Sequence, residues 1–351
     1  MLKKLFATGM AAAMVLSAGV MSVSAEEIKN VTPDKAREEL KLGVSFKTLQ
    51  EERWVQELGV IEETCAAEGV ECIYQISEND AQKQVSQIEN LVEQGVDILI
   101  CTSNEKEAVS GALKAASEAG VLVVYYEKAN GEVYCDFCGG NDEYEIGTAI
   151  TKAIGDMKIS GKVAYIYGDA AGGTGVYAFH DGMLDSMKDC DVEVVGEQWT
   201  VNWDPSTAMG YAENWLSLYG SDLKAILCMN DGMATGVAQA IEAAGLTGQI
   251  LTCGQDCDLL AVQRIVAGSQ VSTVLKSGRE YPQLLAEAAI KVRLGEMTAA
   301  DFEATTPNSE NTEVPFLVYP GKVITADNVQ DVIDAGVYTY EEIYGTEAET
   351  E

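Results

Sequence analysis

Two short polar pairs lie where a fold could put them to use. In the stretch 225–258, AILCMNDGMATGVAQAIEAAGLTGQILTCGQDCD, the apolar run 225–229 ends in Asn230-Asp231, and the run 250–253 ends in Gly254-Gln255-Asp256. Between them Ala234, Val237, Ala238, Ile241 and Ala244 recur at helical spacing, closed by Gly245 as a C′ residue. The pattern reads as strand, helix, strand and the start of a helix, with an amide and a carboxylate at the C-terminal end of each strand. In open parallel sheets that edge binds ligands. Carboxylates accept charge-assisted hydrogen bonds, and amides both donate and accept, so the two pairs suit a ligand rich in hydroxyls. The plainer alternative is that they are helix N-caps.

Other strand ends carry a similar mixture. Glu51-Glu52-Arg53-Trp54 follows the first strand pattern, Tyr126-Glu127-Lys128 the fourth, the run 198–203 with Trp203 a later one, and Lys276 ends another. Sugar hydroxyls take hydrogen bonds from Asp, Asn, Arg and Lys, and the C–H faces of a sugar lie against an indole. Plainer roles exist here too: Trp54 as helix-face core, Trp203 as a hydrophobic staple, Arg53 and Lys276 as surface charges. Trp199 and Trp215 read as packing residues, and His180, the only histidine, as structural or surface. Paired carboxylates can hydrolyse glycosides, but no pair here is fixed by spacing, and no Ser/His/Asp set forms without His180. GDAAGGTG at 168–175 lacks the GxGxxG spacing of a dinucleotide site. Cys135-Asp136-Phe137-Cys138 has no second CxxC or His pair, so zinc is not expected. No cofactor and no catalytic residue is expected.

The elements that must position these residues alternate. Strand patterns at 42–46, 70–75, 97–101 and 121–126 are separated by helical patterns at 50–68, 81–94 and 105–119, each closed by glycine. A strand at 132–138 and a helix at 142–157 follow. A second series holds strands at 162–167 and 191–198 with helices at 175–187 and 206–218, the last opened by Asp204-Pro205 as N-cap and N1. The stretch 225–258, a strand at 270–275 and a helix to about 294 complete it. The tail holds a strand at 316–319 and a short helix at 326–335. This is a βα repeat in two series, hence α/β, with parallel sheets in two lobes and a ligand cleft between them. The expected units are a polar linker at 26–41, an N-terminal lobe of 42–140 plus 277–317, a C-terminal lobe of 141–276 plus 318–345, and a frayed end at 346–351. Crossings between lobes are expected near Gly139-Gly140-Asn141, near Lys276-Ser277-Gly278 and near 315–319.

Composition narrows the function. Residues 1–25 read as a secretory signal: a basic start, the apolar stretch 5–20 and a small-x-small site at Ser22-Val23-Ser24-Ala25. They contain no lipoprotein cysteine, and an exported, periplasmic or cell-surface protein is expected. The remaining chain is long enough for two lobes. Removing Lys3 and Lys4 takes the formal charge from −33 to −35, a surface that repels phosphate backbones, so nucleic acid is excluded as a partner. Nine cysteines are an odd number for an exported protein, and several lie singly in apolar runs, so most are expected reduced and buried.

The segments LGVSFKTLQEERW, QVSQIENLVEQGVDILI, VGEQWTVNWDP, MNDGMATGVAQAIEAAGLTGQ, GQDCDLLAVQRIVAGSQVSTVLK and VPFLVYPGKVITADNV, spread from about 42 to 344, resemble the periplasmic sugar-binding proteins of ABC transporters, of the ribose/galactose type, and most of all the xylose-binding group. The resemblance implies a type I periplasmic binding protein fold: two Rossmann-like lobes joined by a three-strand hinge, a monomer, one monosaccharide in the cleft, and delivery to an ABC permease. A sensor presenting the sugar to a chemoreceptor or histidine kinase is the alternative. By the same resemblance the sugar contacts are Arg53, Trp54, Lys128, Trp203, Asn230, Asp256 and Lys276. Glu127 stands where the group has an acid, and Lys128 where it has Arg, which loses the bidentate fork. Gly173-Thr174-Gly175 departs further, since the xylose-binding group has an Asp and an Asn there. The implied ligand is a xylose-like pentose or a hexose.

Overall fold

A computed structural model describes residues 27–276 and 278–345. The expected signal peptide and frayed end lie outside the described residues. The first series runs β1 (Lys41–Phe46), α1 (Glu52–Glu68), β2 (Glu71–Ile76), α2 (Ala81–Glu93), β3 (Ile98–Cys101), α3 (Lys106–Glu118), β4 (Leu122–Tyr125) and β5 (Phe137–Gly140). The second runs α4 (Glu143–Asp156), β6 (Ser160–Tyr167), α5 (Gly173–Met187), β7 (Asp191–Trp199), α6 (Pro205–Tyr219), β8 (Leu223–Cys228), α7 (Asp231–Ala243), β9 (Leu251–Cys253), α8 (Leu259–Val266) and β10 (Thr273–Leu275). The chain returns through α9 (Glu280–Arg293), β11 (Ala304–Pro307) and β12 (Glu313–Val318), then crosses to β13 (Lys322–Ile324), α10 (Gln330–Asp334) and α11 (Tyr340–Tyr344).

Strand alternation sets the layers. Leu42, Val44, Phe46, Ile98, Ile100, Leu122 and Val124 face one side of the first sheet and pack with Leu58 and Ile61 of α1 and Leu285 and Ile290 of α9. Leu99, Cys101, Val123 and Tyr125 face the other side, against Ile88, Leu91, Val109 and Leu113 of α2 and α3. Both faces are covered, which is why these strands read as unbroken apolar runs. The seven strands are ordered β11-β12-β5-β4-β3-β1-β2, parallel except for β11–β12. The second sheet, β7-β6-β8-β9, is all parallel, and β10 pairs antiparallel with β13 beside it. This is the two-lobed α/β architecture of the type I periplasmic binding fold.

Three crossings join the sheets, after β5, after β10 and after β12. One side chain ties them together. The Asn141 amide donates to the carbonyl of Lys276 at 3.0 Å and to that of Tyr319 at 2.5 Å, so a residue of the first crossing bonds the backbone of the other two.

The structure corrects several expectations. The strand expected at 132–138 begins only at Phe137. Upstream, the Asp136 carboxylate accepts from the Val123 N–H, the Ser117 hydroxyl and the Tyr134 hydroxyl, which fixes that segment as a buried loop. The segment expected as a linker packs onto the first lobe: Ile28 is buried, the Asn30 amide bonds the carbonyls of Ser117 and Val121, and Lys35 pairs with Asp97. The strands β11 and β13 were not expected; each is short and carries little periodic signal. All nine cysteines are free, seven of them buried.

Replacing Asn141 by Ala removes two hydrogen bonds at the hinge and should cost about 1–3 kcal/mol. Urea unfolding should show the loss. An unchanged midpoint would mean the crossings are held without it.

Candidate functional site

The C-terminal ends of both parallel sheets border one cleft. From the first lobe, α1 begins just after β1 and presents Arg53. Its guanidinium bonds Glu57 one turn on at 2.8 Å, lies 4.3 Å from the Trp54 ring centre, and sits 3.6 Å from Asp256 of the opposite lobe. Burial works against the Arg53 charge, yet Glu57, Asp256 and Glu127 outweigh it and raise its pKa. Glu127 follows β4 and accepts from the Thr102 hydroxyl at 3.1 Å. Burial alone would raise its pKa, but Lys47, Lys106, Arg53 and Lys276 hold it down at about 2. Lys128 lies half-buried, paired at 2.9 Å with Asp142, which caps α4 in the second lobe.

From the second lobe, Asp256 follows β9 at φ +98°, a strained conformation for a residue with a side chain, with Cys257 next at +61°. Its Oδ1 lies 3.0 Å from Lys276. Burial and the nearby Arg53 lower the Lys276 pKa, with Asp256 and Glu127 opposing. Asn230 is both cap and lining residue. Its side-chain oxygen Oδ1 accepts from the Met233 N–H at the start of α7, leaving the side-chain amide hydrogens as the donors it can offer. Trp203 ends a short turn at φ +56°, and its six-membered ring packs against Gly168, where a Cβ would come within 2.2 Å of the indole carbons. Any side chain at 168 would push the indole out of the cleft wall.

The cleft thus brings together all eight anticipated residues, Arg53, Trp54, Glu127, Lys128, Trp203, Asn230, Asp256 and Lys276. Trp54 serves mainly as core: it is 2% exposed and packs edge-on against Phe46 and Tyr126 at 5.4 and 6.0 Å. Asp231, paired with Asn230 in the sequence reading, does not line the cleft. It is fully buried behind it, accepting from Gln270, Thr273 and the Asp258 N–H. Asn230 is the N-cap and Asp231 the first residue of α7, and the helix start turns the Asp231 carboxyl inward while Asn230 faces the cleft. Lys47, Lys106, Glu143 and Phe179 also line the cleft and were missed. Lys47 follows β1 directly, so its strand-end position was a usable signal; Phe179 sits mid-helix and gave none. Lys47 and Lys106, with Arg53, Lys128 and Lys276, are five of the chain's 23 basic residues. A protein of charge −33 spends that many cations here, which makes the cleft unlike its surface.

Burial pushes the Asp231 carboxyl up to about 7, and burial together with Asp231 pushes Asp258 up as well. For Asp231 the folded value lies above the unfolded one, so its stabilisation is full below the ordinary carboxylate range and is lost as pH rises toward about 7, and Asp258 acts in the same direction. Glu127 has the opposite sign, and its contribution disappears only in strong acid. Raising pH from about 5.5 to about 8.5 should therefore cost on the order of 2 kcal/mol of stability. Asp231→Asn should flatten that slope in urea titrations; an equally steep variant would remove Asp231 as the source.

The sequence profile of the periplasmic binding protein domain matches residues 42–297. The D-xylose-binding periplasmic protein of Escherichia coli (strain K12) is 29% identical over 299 residues, covering 84% of this chain and 89% of that protein. Among solved structures, an ABC transporter solute binding protein from Clostridium phytofermentans with bound β-D-glucose is 25% identical with a TM-score of 0.72, over 86% of this chain and 99% of that one. A carbohydrate transporter solute binding protein from Chloroflexus aurantiacus in complex with D-glucose shares the fold at 24% identity and a TM-score of 0.75, over 86% and 98%. The matched region runs from β1 through α9 and includes the whole second sheet, and the chain belongs to the periplasmic binding protein domain family.

Proposed function

We propose that this chain is an exported solute-binding protein that captures a monosaccharide in the cleft and delivers it to an ABC permease, acting as a monomer and without chemical turnover. One observation carries the reading. Asp256 is held at a strained φ between Arg53 and Lys276, beside Asn230 and the Trp203 indole. Buried charge, amide and aromatic face converge there, which is the combination that sugar hydroxyls and C–H faces require. The relative in Escherichia coli is named for D-xylose, which supports a pentose. Gly175 lines the cleft without a side chain, which supports a hexose as the alternative, while the space beside Gly173 is taken by the Glu132 carboxylate. The proposed lobes are 42–140 plus 277–317 and 141–276 plus 318–345, and the eight anticipated residues are the proposed contacts.

A thermal-shift screen of the mature protein against pentoses and hexoses should find a ligand, since a hundredfold excess over the dissociation constant adds about 2.7 kcal/mol of stability. Asp256→Ala should weaken that ligand roughly 10- to 100-fold. The bound sugar should be recovered unchanged. A screen with no shift, or a consumed sugar, would overturn the reading.

A further inference from the structure

Five helices of the second lobe begin at or beside the cleft side of its sheet, and they differ in how they begin. Asp142 caps α4, Asp204 caps α6 and Asn230 caps α7, each with its own side chain. The residues before α5 and α8, Gly172 and Asp258, make no such bond. Unfilled helix N-termini expose N–H donors and a partial positive charge.

Both ends are met from across the cleft. Glu132, in the loop between β4 and β5, accepts from the Thr174 N–H in the first turn of α5 at 2.7 Å. Gly173 makes this approach possible: it adopts φ +70°, and a Cβ there would lie 2.3 Å from the Glu132 carboxylate oxygen. At the other end of the cleft, Glu52 of α1 accepts from the Leu259 N–H of α8 at 3.4 Å and from the Tyr338 hydroxyl at 3.0 Å, and Gln56 reaches the same hydroxyl at 2.9 Å. Asp258 is poorly placed to act as a local anion for α8, because burial and Asp231 favour its neutral form.

We propose that Glu132 and Glu52 are positioning residues for ligand capture, each reaching across the cleft to cap a helix of the opposite lobe, so that closure itself completes α5 and α8. In the open state both N-termini lose their carboxylates. The closed state is thus favoured by bonds that touch no ligand, and the glycine that departs from the xylose-binding pattern at 173 serves the lobe contact. The affinity part of this inference rests on the sugar-binding reading; the closure part does not.

The test uses the mature protein with Glu132→Gln, Glu52→Gln and both. With the best sugar from the screen, each single change should raise the dissociation constant roughly three- to tenfold, the double change should multiply the two, and the effect should fall on the dissociation rate with association unchanged. Without sugar, small-angle scattering should give the double variant a larger radius of gyration than the parent. Dissociation rates and scattering equal to the parent's would overturn the proposal, as would a loss confined to association. A variant that fails to fold would show its residue holding the fold rather than the closed state, and would overturn its half. If no sugar binds the parent, the scattering comparison still decides closure while the sugar reading has failed.

Discussion

Asp256 caught between Arg53 and Lys276 is the interaction on which the rest of the site depends. Three charges from separate parts of the chain meet where little water reaches them. Removing charges from water is costly unless each is paired, so the geometry around them must be firm. The strain at Asp256 and Cys257 is borne by the surroundings. The Asp256 N–H bonds the Val274 carbonyl, the Gln255 carbonyl accepts from the Asp231 N–H, and the Asp231 carboxyl holds Gln270, Thr273 and the Asp258 N–H from behind. A buried acid that takes no part in lining the cleft thereby sets the backbone path of the acid that does.

Much of the fold was legible because the physics was local. Parallel strands covered on both faces read as apolar runs, and the helices between them closed on Gly69, Gly95 and Gly120 at positive φ. The loop at 129–136 was misread for the opposite reason: Val133, Tyr134 and Cys135 are apolar and buried, but Asp136 diverts the backbone by bonding a neighbouring strand. The cleft residues at strand ends were readable from position and type. Asp231 was not, since a strand end does not announce which of two adjacent polar residues turns inward. Glu132 meets Thr174 across a separation of 42 positions, and no local pattern carries that contact.

The electrostatics of the molecule divide sharply between surface and cleft. The chain is strongly acidic, yet the Glu127 carboxylate is surrounded by Lys47, Lys106, Arg53 and Lys276. A neutral ligand entering such a site meets donors already oriented by one another. Little reorganisation is then left for the binding step, which is the general route from buried polarity to selectivity.

The Asn141 amide that ties the three crossings has a mechanical meaning. Separate linkers would let two bodies slide, twist and bend independently. Three strands cross-linked at one point share a pivot, and relative motion reduces toward a single angular coordinate. Every contact across the cleft is then read by the same angle, whether it comes from Asp256 in the middle, Glu132 at one rim or Glu52 at the other. Anything that touches both lobes reads that one angle and needs no direct contact with the occupant of the cleft.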